Sequence, residues 1–399
     1  MATPLPTRFA IDTTVLKNPV RQVAELRPTH SATPIPFTKD KTTGLLFPAA
    51  GVAPEVLAVP FKTKNPLTGH ERVMEGDVGS AANLARGRWV RHPEFVANPV
   101  IGDFERAQRE TLASWENAFS YVAQDLAADV VGLRTPQIGA LHRVHAHWAV
   151  TNEVGTIVMP TGTGKTDTML SVMITARCER LLIVVPSDAL RLQTAEKFMT
   201  LGVLRLPQSR LLTAEAQYPV VASIFHVPRT VAEVDEVFTR AHVIVMTSQT
   251  AARCSPEVQQ QIAALCPYVF FDEAHHSEAR TWKEFRSRLS ANRVLQFTAT
   301  PFREDGKLLE GEIIFKYPLR KAQQEEYFKP ITFKPVREFN RKRADEAIAA
   351  AAVQQLRADA DKGHILMARV DTTARAREVF PIYEQYAEFK PVEFHTGLS

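Results

Sequence analysis

Three features of the sequence predict an α/β fold with a parallel sheet. Five short apolar runs, TIVM (156–159), LLIVV (181–185), HVIVM (242–246), YVFFD (268–272) and RVLQF (293–297), are nearly continuous rather than alternating. Strands covered on both faces have that character. Helical patterns separate the runs, and strand–helix alternation implies parallel pairing, with ligand sites beyond the C-terminal strand ends. Composition shifts once: 12 of the 26 prolines fall in the first hundred residues. Proline blocks helix interiors, so that region is expected to hold turns, short strands and extended chain, and the α/β pattern to begin after it.

In chain order, residues 1–103 read as an accessory region, because stretches such as GLLFPAAGVAPEVLAVPF are too apolar for a disordered tail. From Phe104 the pattern turns helical, and Trp115, Phe119, Val122 and Leu126 make one apolar stripe at helical spacing. A helix with apolar positions Met169, Val172, Met173 and Ala176 follows the first strand. After the second strand, Ser187 or Asp188 caps a helix carrying Leu190, Thr194 and Phe198, and Gly202 ends it. The basic run REFNRKR (337–343) reads as a solvated linker. Beyond it, RADEAIAAAAVQQLRAD reads as a helix, GHILMARV (363–370) as a strand, and TTARAREVF as the start of a helix that Pro381 should end or kink. The expected divisions are 1–103, 104–330 and 331–399.

Composition bounds the function. A chain of 399 residues has room for two or three cores, and 23% charged with 45% hydrophobic residues describes an ordinary globular protein. No apolar run approaches ~18 residues, so no membrane partner is expected. The N-terminal MATPLPTRFAIDTT lacks the apolar core of a secretory signal. Three scattered cysteines, Cys178, Cys254 and Cys266, do not make a disulfide framework. The expected compartment is a reducing cytoplasm. A net charge of +4 permits a nucleic-acid partner without requiring one.

The stretch VMPTGTGKT, Val158 to Thr166, follows a strand and precedes a helix, as a phosphate-binding loop must. Gly162 and Gly164 let the backbone turn its N–H groups towards an anion at a helix N-terminus. Thr161, Gly162, Thr163, Gly164, Lys165 and Thr166 are the candidate nucleotide contacts, with Lys165 reaching the β- and γ-phosphates and the Thr166 hydroxyl reaching Mg²⁺. Met159 stands where the usual pattern has its first glycine. The second stretch is FFDEAHHSEARTW, Phe270 to Trp282. Asp272 at a strand end is placed to hold Mg²⁺ beside Thr166, and Glu273 to act as general base on the attacking water.

D-E-A-H at 272–275 resembles the signature of superfamily 2 helicases and translocases. LRTPQ (133–137) looks like that family's adenine-reading segment, with Gln137 as reader and Arg134 beside it. VVPSDALRLQ (184–193) resembles motif Ia, VMTSQT (245–250) a later strand-contacting motif, and FTATPFRED (297–305) motif III with the extension of the restriction-type branch. Members of this family use x-P-T-G-x-G-K-T loops, which accommodates Met159. The resemblance implies that His275 links the Mg²⁺ site to Thr298 and Thr300 of motif III. A zinc site joining His275 and His276 to Cys254 and Cys266 matches no known spacing. Ser187, Arg191, Gln193, Thr247, Ser248 and Gln249 either contact strand phosphates or merely close a strand and face solvent.

The resemblance, over about 134–399, implies a RecA-like P-loop NTPase fold with a second, incomplete RecA-like domain that VEFHTGLS would continue. It further implies ATP and Mg²⁺ as cofactors, and a nucleic acid as partner, DNA ahead of RNA. The activity implied is an ATP-dependent helicase or translocase. Alternatives are a duplex-DNA translocase subunit acting with defence or repair proteins, and an ATP-responsive binding module without useful turnover. Motifs V and VI have no counterpart, so ATP binding with little hydrolysis is expected unless Arg303, Arg369 or a neighbouring subunit supplies an arginine.

Overall fold

In a computed structural model of the chain, the structure describes residues 3–5, 8–25, 29–30, 32–39, 42–51, 53–63, 69–79, 83–84, 87–93, 104–206, 208–274, 285–289, 292–302, 306, 308–327 and 332–393. The chain divides into two compact units, Met1–Phe328 and Lys329–Ser399.

The first unit is built on a nine-stranded mixed sheet. Seven neighbouring strands are parallel, in the order Glu312–Lys316, Gly155–Val158, Arg293–Thr298, Tyr268–Asp272, Leu181–Val185, Val243–Thr247 and Val221–Ile224. The five apolar runs are all present, shifted by at most one residue at their ends. Their uninterrupted character has a direct cause. Leu181, Ile183 and Val185 enter one core, and Leu182 and Val184 enter another. Burying such a side chain contributes about 1.5–3 kcal/mol, so each face rewards an apolar residue.

The two remaining strands come from the proline-rich region. Arg8–Val15 and Asn18–Glu25 form an antiparallel hairpin, and the second of them pairs antiparallel with Val221–Ile224 through Val221↔Arg21 and Ala222↔Val20. The region read as accessory thus extends the large sheet with two eight-residue strands. Among the described residues of that region, Thr3–Pro4 pairs with Thr29–His30, and a five-stranded sheet holds Ile35–Lys39, Thr42–Phe47, Val56–Pro60, Val73–Gly76 and Arg88–Arg91, antiparallel except where Val56–Pro60 meets Val73–Gly76. Its core gathers Phe47, Val56, Ala58, Met74, Leu84 and Trp89.

Some expectations fail for identifiable reasons. The helix from Phe104 ends at Ser114 rather than running through Leu126. Trp115 is buried and its indole donates to the Gln217 carbonyl at 3.0 Å, whereas Leu126 is exposed. Asn117 and Asp129 sit at φ +56° and +52°, which no helix admits. The helix Asp188–Thr200 ends with Leu201 in the left-handed region, and Gly202 opens a short 3₁₀ turn instead of acting as the stop.

In the second unit, the helices Arg341–Ala358 and Thr373–Glu384 are present. The latter continues three residues past Pro381. GHILMARV carries no strand pairing among the described residues, and Ile365 and Met367 are exposed. An apolar run becomes a strand only where a neighbour accepts its ladder, and the described part of this unit offers none. Asn340, in the basic run, caps Arg341–Ala358 by accepting from the Arg343 backbone N–H at 3.2 Å.

Candidate nucleotide site and strand-contacting edge

Three adjacent parallel strands deliver the candidate residues to one edge of the sheet. Gly155–Val158 leads into the glycine loop, Arg293–Thr298 ends at Thr298, and Tyr268–Asp272 ends at Asp272. The register Val158↔Thr298 and Phe297↔Asp272 sets these ends level.

The loop is braced from within and from beside. Thr163 Oγ1 donates to the Pro160 carbonyl at 2.6 Å, and Met159 N–H donates to Thr298 O at 2.9 Å. Gly162 and Gly164 have φ of +86° and +93°. A Cβ on Gly164 would lie 2.0 Å from Gln137 Nε2, so this position admits only glycine. Lys165 opens the helix Lys165–Thr175, its side chain buried; Thr166 is half-buried and Thr161 exposed. Met159 is fully buried, with Thr168 Oγ1 3.8 Å from its sulfur.

Gln137 and Arg134 both hold this loop. Gln137 Nε2 donates to Gly164 O at 3.3 Å and to Asp167 Oδ2 at 3.4 Å, while its carbonyl accepts from the Arg134 backbone N–H at 2.7 Å. The Arg134 guanidinium donates to Gly162 O at 2.6 Å and lies 5.3 Å from the Tyr327 ring centroid. Asp167 and Tyr327 escaped the sequence reading, because neither belongs to a recognisable spacing.

The acidic pair faces the loop. Glu273 Oε1 lies 2.7 Å from Lys165 Nζ. Glu273 has φ +48°, a conformation that costs a non-glycine residue of order 1–3 kcal/mol. Such strain is a feature of sites where position matters more than stability. Asp272 is buried, and desolvation, reinforced by the Glu273 charge, pushes its carboxyl up to about 6, against the opposing pull of Lys165. A cation at this carboxylate would offset the cost of burying it. Thr298 Oγ1 donates to Thr300 O at 2.7 Å, which fixes the turn after its strand. His275, His276 and Arg303 lie outside the described residues; Arg369 is exposed in the second unit.

The candidate strand contacts divide into two groups. Ser187, Gln193 and Gln249 are exposed and Ser248 is half-buried, on loops and helices that follow the adjacent strands Leu181–Val185 and Val243–Thr247. Arg191 is 3% exposed. Its guanidinium donates to Ile224 O at 3.1 Å, pairs with Asp188 at 3.1 Å and packs 3.6 Å from the Phe225 ring centroid. Thr247 is likewise buried, its hydroxyl accepting from the Thr250 N–H at 3.1 Å as a helix cap. These two side chains are committed inside the fold.

A glycine loop and an acidic pair thus meet at the C-terminal edge of a parallel sheet, where sheets of this kind bind ligands. Residues 131–303 match the family model described as type III restriction enzyme, res subunit, a superfamily 2 helicase-like ATPase domain. No curated protein matches the chain. Among solved structures it is similar to the UvsW helicase from bacteriophage T4, at 18% identity and TM-score 0.31, covering 48% of this chain and 60% of that one. It is similar to the Hef helicase domain of Pyrococcus furiosus, at 20% identity and TM-score 0.34, covering 64% and 53%. A third is the ATP-dependent Type ISP restriction-modification enzyme LlaBIII bound to DNA, at 17% identity and TM-score 0.32, covering 49% and 16%. The chain therefore spans 60% or less of the length of these proteins. Among the described residues no helix is long and apolar enough to cross a membrane.

Proposed function

We propose that the first unit carries the ATP-hydrolysing site of a motor that moves along nucleic acid, DNA in preference to RNA. The single observation that carries this reading is the approach of Lys165 to Glu273 at 2.7 Å across the mouth of the glycine loop. It joins a phosphate-reaching cation and a carboxylate of general-base type at one point.

The loop fits a triphosphate on its own geometry. Gly162 and Gly164 adopt left-handed φ of +86° and +93°, which turns the loop backbone just ahead of the helix that Lys165 opens. Thr161, Gly162, Thr163 and Gly164 would hold phosphate oxygens, with Lys165 placed for the terminal ones and Gln137 and Arg134 at the loop's flank. Asp272 and the Thr166 hydroxyl would hold Mg²⁺, which when bound supplies neutralising charge to the phosphates. Glu273 is the chain's own base: its carboxylate accepts a proton from water, and its ion pair with Lys165 holds it in place beforehand. His275, with Thr298 and Thr300, would couple this site to the strand edge bearing Ser187, Gln193, Ser248 and Gln249.

Measuring ATP hydrolysis with single-stranded DNA, duplex DNA, RNA, unfolded peptide and no addition tests the reading. Stimulation by DNA is expected where an arginine completes the site, and ATP binding with little turnover where none does. Stimulation by peptide alone would replace the motor with a protein-translocating one. A second reading, a duplex translocase of a restriction or defence system, is favoured by the family match over 131–303. Triplex displacement without separation of a forked duplex would select it.

A further inference from the structure

The hairpin Arg8–Val15/Asn18–Glu25 brings an unassigned groove to the same edge. Because Asn18–Glu25 runs antiparallel to Val221–Ile224, the hairpin turn Leu16–Lys17 arrives beside the C-terminal end of that parallel strand. Asn18 Oδ1 accepts there from the backbone N–H groups of Phe225, at 2.8 Å, and His226, at 3.0 Å. The turn is thereby stitched to the loop that follows the strand. Between them lies a groove of about 550 Å³, lined by Leu16, Lys17, Phe225, His226 and Arg229 among others.

Its chemistry suits one class of occupant. Lys17 and Arg229 are exposed and have no ion-pair partner among the described residues. The carboxylate that lines the groove, Glu233, is turned to capping, accepting from the Arg229 backbone N–H at 2.6 Å. Phe225 is 38% exposed, with the Arg191 guanidinium packed 3.6 Å from its ring centroid. An aromatic ring backed by a cation is a stacking platform for a nucleobase, and unpaired cations beside it suit a phosphate.

Two further observations point to the turn as the functional part. Leu16 and Lys17 adopt φ of +48° and +65°, although neither is glycine or asparagine, and Leu16 is 41% exposed at the tip. Left-handed turns select Asn-Gly when stability alone decides. The groove also lies at the end of the strand beside the candidate strand contacts: Ile224 pairs with Met246, so Ser248 and Gln249 leave the neighbouring strand end.

We propose that this groove binds one unpaired nucleotide of a DNA strand, its phosphate held by Lys17 and Arg229 and its base stacked on Phe225. The inference rests on the reading of the chain as a DNA motor. The sugar–phosphate and base contacts are independent of sequence, as a moving motor requires.

The test is anisotropy of labelled oligo(dT) over a salt series with the whole chain, alongside ATP affinity as a control for folding. Lys17→Ala/Arg229→Ala is expected to weaken binding about tenfold and to make the log–log salt slope shallower by about 1.4, two single-strand contacts at ~0.7 each. Phe225→Ala is expected to weaken binding by about 5- to 100-fold with no change of slope, and Phe225→Trp to restore it. ATP affinity should stay at the parent value in all variants. If the parent chain binds no oligo(dT), the motor reading itself fails. If the parent binds and every variant matches it, the groove alone is overturned. Variants that weaken duplex binding while Phe225→Ala leaves oligo(dT) binding intact would overturn the unpaired nucleotide as occupant.

Discussion

Lys165 and Glu273, more than a hundred residues apart in sequence, meet as an ion pair at 2.7 Å with side-chain exposures of 8% and 20%. Each holds the other at the mouth of the glycine loop, where the proposed reaction would bring phosphate and water together. Glu273→Gln keeps the size of the side chain and removes its basicity. Where an arginine completes the site, hydrolysis of ATP is expected to fall by about 10²–10⁴-fold while ATP affinity stays within a few-fold of the parent. Steady-state phosphate release and calorimetry check the two halves, and an undiminished rate would remove Glu273 from the chemistry.

Lys165→Ala acts on the other half of the pair. A buried charge-assisted contact contributes about 1.5–3 kcal/mol, so ATP affinity should drop by about 10- to 100-fold. The variant also leaves Glu273 without this partner at the loop mouth. Equal ATP affinity in calorimetry would dismiss the loop as a phosphate site.

Gly164→Ala should be more damaging than its one methyl group suggests. The added Cβ meets Gln137 Nε2 at 2.0 Å, and φ of +93° is strained for alanine. Relief requires moving Gln137, which also holds Arg134 and Asp167. ATP binding is expected to be lost while the fold persists, since the position sits on a loop. Retained binding together with an unchanged melting temperature would show that the loop tolerates a side chain.

What was legible in the sequence follows a physical line. Lys165, Asp272 and Glu273 could be read because each lies in a contiguous motif whose chemistry depends on local spacing. Leu181–Val185 and Tyr268–Asp272 could be read because both faces of those strands are buried. Val221–Ile224 could not, because Ser223 interrupts a run of only four residues. Glu312–Lys316 is half-exposed at the sheet edge, and its apolar run is the short Ile313–Phe315, flanked by Glu312 and Lys316. Arg191 reads in the sequence as either a strand contact or a solvated helix residue. Its burial is decided by Ile224 and Phe225, more than thirty residues downstream, which no local pattern encodes.

Acid should loosen the first unit through His242. Its Nε2–H donates to Gln108 O at 3.0 Å and its Nδ1 accepts from Val220 N–H, so the ring is neutral in the fold. Burial, aided by Arg180, depresses its pKa to about 4 from an ordinary 6.5. The unfolded chain therefore binds a proton that the fold refuses between those values. The stabilisation is complete above pH ~6.5 and is lost as pH falls towards about 4, by up to about 3 kcal/mol. Denaturant midpoints at about pH 7.5 and about pH 5 should differ less in His242→Gln than in the parent. An identical difference in both would exclude His242 as the acid-sensitive group.

The hairpin turn offers a separation of stability from function. Lys17 sits at φ +65°, where a side chain costs roughly 1 kcal/mol that glycine does not incur. Lys17→Gly should raise the melting temperature and weaken oligo(dT) binding at the same time. A variant that is less stable than the parent would mean that Lys17 is held there by packing rather than by use.

Pairing between Asn18–Glu25 and Val221–Ile224 also sets a schedule for synthesis. The hairpin emerges from the ribosome first, and its partner strand follows some two hundred residues later: Gln22 bonds the Tyr218 carbonyl across 196 positions. At ~5–20 residues per second the hairpin waits about 10–40 s for its place in the sheet. During that interval the backbone of Asn18–Glu25 offers an open ladder to any strand that passes, its own copies on neighbouring ribosomes included. Holding the nascent hairpin apart until residue 224 has cleared is thus a task that falls to the cell rather than to the sequence.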